Sequence, residues 1–174
     1  NIDWVPVIGC GLLFMGHEMT LNMRDVHVRK MQIADLPRIL QLLADDELGQ
    51  LRETLQRVPH DDYRRAFTAI DADLNQCLAV FEKNDNISGC LQISFIPGPS
   101  RHGALRGQIE SVRVAANVRG NGYGTLMMAW AIEKCREQGC SLVQLTSDKT
   151  RKDAQRFYQG LGFVPSHEGF KLQF

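Results

Sequence analysis

Apolar positions along this chain keep two rhythms, a period of two that marks strands and a period near 3.6 that marks helices. Residues 25–29 (DVHVR) alternate as a half-buried strand does. Leu36, Ile39, Leu40 and Leu43 then recur at helical spacing, with Asp35 placed to cap that helix and Pro37 in its first turn. Leu48, Leu51 and Leu55 continue at helix-like intervals up to Pro59, and Asp61 or Asp62 opens a further helix with the stripe Tyr63, Ala66, Phe67, Ile70 and Leu74. Residues 77–82 and 87–96 are β-leaning apolar runs joined by Lys83, Asn84, Asp85 and Asn86, a polar hairpin connection. Pro97, Gly98, Pro99 and Ser100 stop the second run, and a loop to Gly107 carries Arg101, His102 and Arg106, open to solvent or to an anionic part of a substrate.

In residues 108–114 (QIESVRV) a period of two puts Gln108, Glu110, Val112 and Val114 on one face and Ile109, Ser111 and Arg113 on the other. Glu110 then stands in line with valines, where a carboxylate is costly to bury unless it is paired, hydrated or in use. A later helix has the stripe Gly124, Met128, Ala131, Ile132 and Cys135, turns Glu133, Lys134, Arg136 and Glu137 to water and closes at Gly139. Residues 141–147 (SLVQLTS) return as a strand, so strand, helix and strand form a parallel crossover unit. Ala154, Phe157, Tyr158 and Leu161 repeat the helical stripe, Gly162 and Phe163 begin the turn into strand, and residues 169–174 alternate Phe170, Leu172 and Phe174 as a final antiparallel strand.

The first 22 residues break this pattern, being apolar from Trp4 to Met15 and punctuated by Pro6, Gly9, Gly11 and Gly16. They have neither the basic start of a secretory signal nor the unbroken apolar length of a membrane helix, so residues 1–22 read as an extension or packing arm. Residues 23–174 read as one domain. Lys and Arg number 20, as do Asp and Glu, which argues against an extended nucleic-acid or membrane footprint. Cysteines at 10, 77, 90, 135 and 140 form no C-x-x-C pair, as expected of reduced, mostly buried thiols in a cytoplasmic protein that holds no metal.

The most informative stretch is QIESVRVAANVRGNGYGT, residues 108–125, where a strand breaks into a glycine-rich turn ahead of a helix. Unpaired N–H groups and the dipole at a helix N-terminus favour an anion, and glycines let a phosphate come close to the backbone. The loop G-x-x-x-x-G-K-[ST] needs a lysine that RGNGYGTLM lacks, and in G-x-G-x-x-G the third glycine would be Thr125.

The turn resembles motif A of the GNAT superfamily of acetyl-CoA-dependent N-acetyltransferases, Q/R-x-x-G-x-G/A after a strand, filled here by Arg119, Gly122 and Gly124. Glu110 upstream, and Ala154, Tyr158, Gly162 and Phe163 downstream, match at the family's spacing, and the likeness runs from about Arg24 to Phe174. The end of the chain is most similar to bacterial small-molecule acetyltransferases, including the aminoalkylphosphonate type. Arg151 stands where many members have Asn, offering a cation near the nucleotide.

The resemblance implies an α/β fold with a central mixed sheet of six to seven strands and about four flanking helices. It implies acetyl-CoA as cosubstrate. Backbone N–H groups of Arg119, Gly120, Asn121, Gly122, Tyr123, Gly124 and Thr125 would hold the pyrophosphate, and Val112, Arg113 and Val114 would pair with the pantetheine arm, with Arg151, Ala154 and Tyr158 beside it. Glu110 is the expected base, Val112 N–H the oxyanion donor and Tyr158 the acid for the departing thiolate. The expected acceptor is a small-molecule amine; Asp45, Asp46 and Glu47 read, from their charge alone, either as a solvated helix end or as a rim that draws such a cation. A peptide or protein acetyltransferase and a non-catalytic acyl-CoA sensor are the alternatives, and a homodimer, common in the resembled family, is the expected assembly.

Overall fold

A computed structural model of the chain describes residues 26–45 and 60–174. Expectations for the N-terminal extension, for the Leu48, Leu51 and Leu55 stripe, and for Asp46 and Glu47 lie outside those residues. Within them one sheet runs in spatial order β1 (His27–Lys30), β2 (Gln76–Lys83), β3 (Asn86–Pro97), β4 (Leu105–Val114) and β5 (Leu142–Leu145). The first three pairings are antiparallel, whereas β4 and β5 are parallel and joined through helix α3 (Tyr123–Glu137), the expected crossover. The β2–β3 hairpin turns on Asn84 and Asp85, at φ 51° and 59°, a left-handed pair that these two side chains tolerate better than most.

Register settles which residues share a face. Cys77, Ala79, Phe81, Leu91, Ile93, Phe95 and Ile109 meet Leu126, Met127, Met128, Ala131 and Cys135 of α3, all buried. Each Leu, Ile, Phe or Met among them stabilises the fold by about 1.5–3 kcal/mol relative to exposure. Gly107 lets α3 approach, since a Cβ there would run into Cys135 Sγ. Helix α4 (Lys152–Gly160) lies on the same side, with Phe157 and Tyr158 packed against that core. On the opposite face, at the end near Val80 and Cys90, those two meet Leu36, Ile39, Leu40 and Leu42 from α1 (Leu36–Leu43), and Tyr63 and Phe67 of α2 (His60–Ala72) close over the edge of that cluster.

Several expectations change. The sheet has five strands among the described residues, not six to seven: after Phe163 the chain is irregular, and Phe170, Leu172 and Phe174 are exposed. Alternation supplies an apolar face, but a strand also needs a neighbouring ladder, and nothing described pairs with this tail. Strand β4 begins at Leu105, so Arg106 is a strand residue, and the turn before it bends through left-handed Arg101 and His102. Asp35 makes no side-chain cap on α1; its carboxylate accepts from Gln32 N–H at 2.7 Å and from both Nη atoms of Arg29. Lys134 is buried rather than solvated, pairing with Glu137 at 2.9 Å, whereas Ala66 and Leu74 of the α2 stripe are exposed. No helix among the described residues is long and apolar enough to cross a membrane.

Candidate active site

The site grows from a fault in β4. Glu110 lies opposite Gln92 and Arg113 opposite Cys90, so two residues of β4 face one of β3. Ser111, at φ 52°, takes up the extra residue in the left-handed region, as in a β-bulge. One inserted residue reverses the alternation. Gln108 and Glu110 keep to the α1 face and Arg113 joins them opposite Cys90, while Val112 and Val114 pack with Ile109 on the α3 face. The expected alignment of Glu110 with the valines is therefore corrected: its row-mates are Gln92 and Gln108, and its side chain is exposed.

The same fault separates β4 from β5. Their last matched pair is Ile109 with Leu145, yet β4 runs on to Val114. Beyond Ile109 the β5-facing edge of β4 has no strand partner among the described residues, and Ser111 and Val112 stand outside the β3 register as well. An open strand edge can pair with the amides of an extended ligand arm, which suits pantetheine.

At the end of β4 the chain makes a short turn over Ala116–Val118 and reaches the glycines. Gly120 and Gly122 have φ 78° and 77°, and a Cβ on either would meet no atom within 4 Å, so the turn faces open space. Gly122 is the N-cap of α3 and offers its first-turn N–H groups no side-chain acceptor. Those donors fit a diphosphate. Arg119 braces the turn: its Nε donates to Val114 O at 2.9 Å and an Nη to Asp45 Oδ2 at 2.7 Å. Asp45, expected on the acceptor rim, is thus engaged with the turn. The Tyr123 side chain is buried in the core, and Gly124 admits Phe157 of α4, whose ring lies 3.3 Å from where a Cβ would be. Gly120 and Asn121 are exposed and Thr125 is half-buried.

Tyr158 lies on α4 between Phe157, at 5.2 Å, and Phe163, at 6.1 Å between ring centroids. Burial raises its phenol above the ordinary value, and the guanidinium groups of Arg151 and Arg113 pull it back down. Arg113 sends Nη1 to Val112 O at 3.1 Å, while its buried Nε has no hydrogen bond. Arg151 precedes the first turn of α4, and Ala154 is half-buried one turn before Tyr158. Glu110 and Tyr158 therefore lie on opposite faces of the sheet, Tyr158 packed on the cluster that also holds Val112 and Leu145. Sequence reasoning missed the bulge, the Arg119–Asp45 contact and a carboxamide pair, Gln144 Nε2 to Gln108 Oε1 at 2.7 Å. A polar Ser within an apolar alternation was the only available sign of the first.

The thiols are ordinary core groups. Burial pushes Cys77 up to about 11 and Cys90 and Cys135 to about 12, so none is a thiolate near neutrality.

Residues 36–163 match the model of the acetyltransferase (GNAT) family. The aminoalkylphosphonate N-acetyltransferase of Salmonella typhimurium is 30% identical over 108 residues, 62% of this chain and 70% of that one. N-alpha-acetyltransferase 30 of Saccharomyces cerevisiae is 29% identical over 73 residues, 42% of each chain. Among solved structures, one described as a transcriptional regulator from Bacillus halodurans C-125 is similar at TM-score 0.81 and 44% identity, over 86% of this chain and 99% of that one.

Proposed function

Since the chain belongs to the acetyltransferase (GNAT) family and is an acetyl-CoA-dependent N-acetyltransferase, we propose that its acceptor is the primary amine of a small molecule, acetylated by direct attack. The observation that carries this reading is the bulge, which sets an exposed carboxylate beside a strand edge free to hold the thioester arm.

A primary amine near pKa 10 is mostly protonated at neutral pH and cannot attack. Glu110, directly or through a water, takes that proton, and the freed lone pair forms the C–N bond at the thioester carbonyl. Val112 N–H donates to the carbonyl oxygen as it gains charge. The C–S bond breaks, Tyr158, kept neutral by burial, hands its proton to the thiolate, and the proton then lost from the new amide nitrogen restores the phenol. The N–H groups from Gly120 to Thr125 hold the diphosphate, Val112 to Val114 pair with the pantetheine arm, and Arg151 adds positive charge nearby.

Turnover of a panel of aminoalkylphosphonates, polyamines, aminoglycosides and a short peptide, followed by thiol release from acetyl-CoA, tests the acceptor class. Release with a small amine supports the reading, and release with the peptide alone replaces it with N-terminal acetylation, the second reading, favoured by the likeness to the yeast enzyme. A homodimer is proposed as the assembly, because Phe170, Leu172 and Phe174 leave an exposed apolar tail that a second copy would cover.

A further inference from the structure

Across four strands, at the end of the Glu110 face away from Val80 and Cys90, the sheet presents carboxamides where its other side is apolar. The register places Gln76, Ser94, Gln108 and Gln144 in one row perpendicular to the strands, and Gln92 beside Glu110 in the next. Neighbouring strands lie about 4.8 Å apart, so the row is about 14 Å long, and its Gln108 stands about 7 Å along β4 from Glu110.

Each amide is half engaged. Gln76 Oε1 accepts from Gln92 Nε2 at 3.0 Å and from Ser94 Oγ at 2.7 Å, and Gln144 Nε2 donates to Gln108 Oε1 at 2.7 Å. Those bonds hold the side chains in place, and they leave Gln76 Nε2, Gln92 Oε1, Gln108 Nε2 and Gln144 Oε1 without a partner among the described residues. The result is a fixed row of donors and acceptors, of zero net charge, whose Gln108 lies two residues along β4 from the carboxylate assigned to deprotonate the amine.

We propose that this row is the acceptor-recognition floor and selects a primary amine whose carbon skeleton carries hydroxyl groups, such as an amino sugar or amino polyol. The inference rests on the reading of Glu110 as base. A hydroxyl both donates and accepts, as a carboxamide does, so it satisfies either free end; an alkyl amine would strip water from these amides and return nothing. A phosphonate or carboxylate would want a cation, and β4 offers two on this face: Arg113, half-buried with Nη1 turned to Val112 O, and Arg106, exposed and one residue pair beyond Gln108.

The test compares kcat/KM for glucosamine, cyclohexylamine and 2-aminoethylphosphonate in the wild type, in the Gln108→Leu/Gln144→Leu double variant, in Gln92→Met and in Arg106→Gln. Changing both members of the Gln108–Gln144 pair leaves no orphaned partner, and thermal melting reports the fold; Gln92→Met serves if the double variant melts early. The wild type should favour glucosamine over cyclohexylamine by at least about tenfold, and either glutamine variant should shrink that ratio at least about fivefold. Equal rates for the two ring amines, an unchanged ratio in the variants, or a preference for the phosphonate that Arg106→Gln abolishes would each overturn the floor while leaving acetyl transfer intact. Acetyl-CoA binding without turnover of any amine would instead overturn the reading of Glu110, and this inference with it.

Discussion

Tyr158 shows how one side chain can be ordinary packing and chemistry at once. Its ring completes a cluster with Phe157 and Phe163, and the helical stripe accounts for that burial without any reaction. What packing does not require is the pair of guanidinium groups, Arg151 and Arg113, acting on its hydroxyl. Tyr158→Phe keeps the ring and removes the proton, so kcat should fall about 10²-fold with little change in acetyl-CoA affinity. An unchanged kcat would return the residue to packing alone. Because burial is the larger effect and raises the phenol, the wild-type rate should not decline on the alkaline side until above the ordinary value of 10. Arg29 belongs to a different account, that of stability. It pairs with Asp35 at 2.7 Å and Glu82 at 2.6 Å and holds both carboxyls below their usual range. A depressed carboxyl contributes stability above its unfolded value that is lost as pH falls through the folded one. Melting temperature should therefore drop below about pH 4.5, and Arg29→Met should cost about 1.5–3 kcal/mol at neutral pH and flatten that acid slope. An acid slope that persists in the variant would assign it to other groups.

At the scale of elements, the order of strands and helices was legible because each keeps its own rhythm, and the glycine turn because its chemistry is carried by backbone that only a few residue types permit. The bulge was not legible. A period of two assigns faces only while the ladder is intact, and the inserted Ser111 reverses every assignment after it, so Val112 and Arg113 exchange sides. Capping failed at Asp35 for a different reason: the cap competes with the guanidinium of Arg29, six residues upstream on β1, which takes both carboxylate oxygens. The bulge is also the element most open to test. Ser111 at φ 52° tolerates Gly but not a β-branched residue, so Ser111→Val should cost about 1–2 kcal/mol and lower kcat by shifting Val112 relative to Glu110, whereas Ser111→Gly should retain both. Equal turnover in the two variants would separate the bulge from catalysis.

For the whole molecule, two helices on each face of the sheet among the described residues leave the α3 core on one side and the carboxamide row on the other. The tail was misread as a strand because Phe170, Leu172 and Phe174 alternate, yet they lie exposed. A dimer that covers them should appear as twice the monomer mass in light scattering, and Phe170→Ser/Leu172→Ser/Phe174→Ser should halve it; equal masses would remove the tail from any interface. The central claim is acetyl transfer from acetyl-CoA to a small amine with Glu110 as base, and steady-state thiol release with the best amine of the panel, compared between wild type and Glu110→Gln, tests it most directly. The account predicts a fall in kcat of about 10²- to 10⁴-fold with the KM for acetyl-CoA nearly unchanged. An unchanged kcat, or a loss confined to acetyl-CoA affinity, would contradict it.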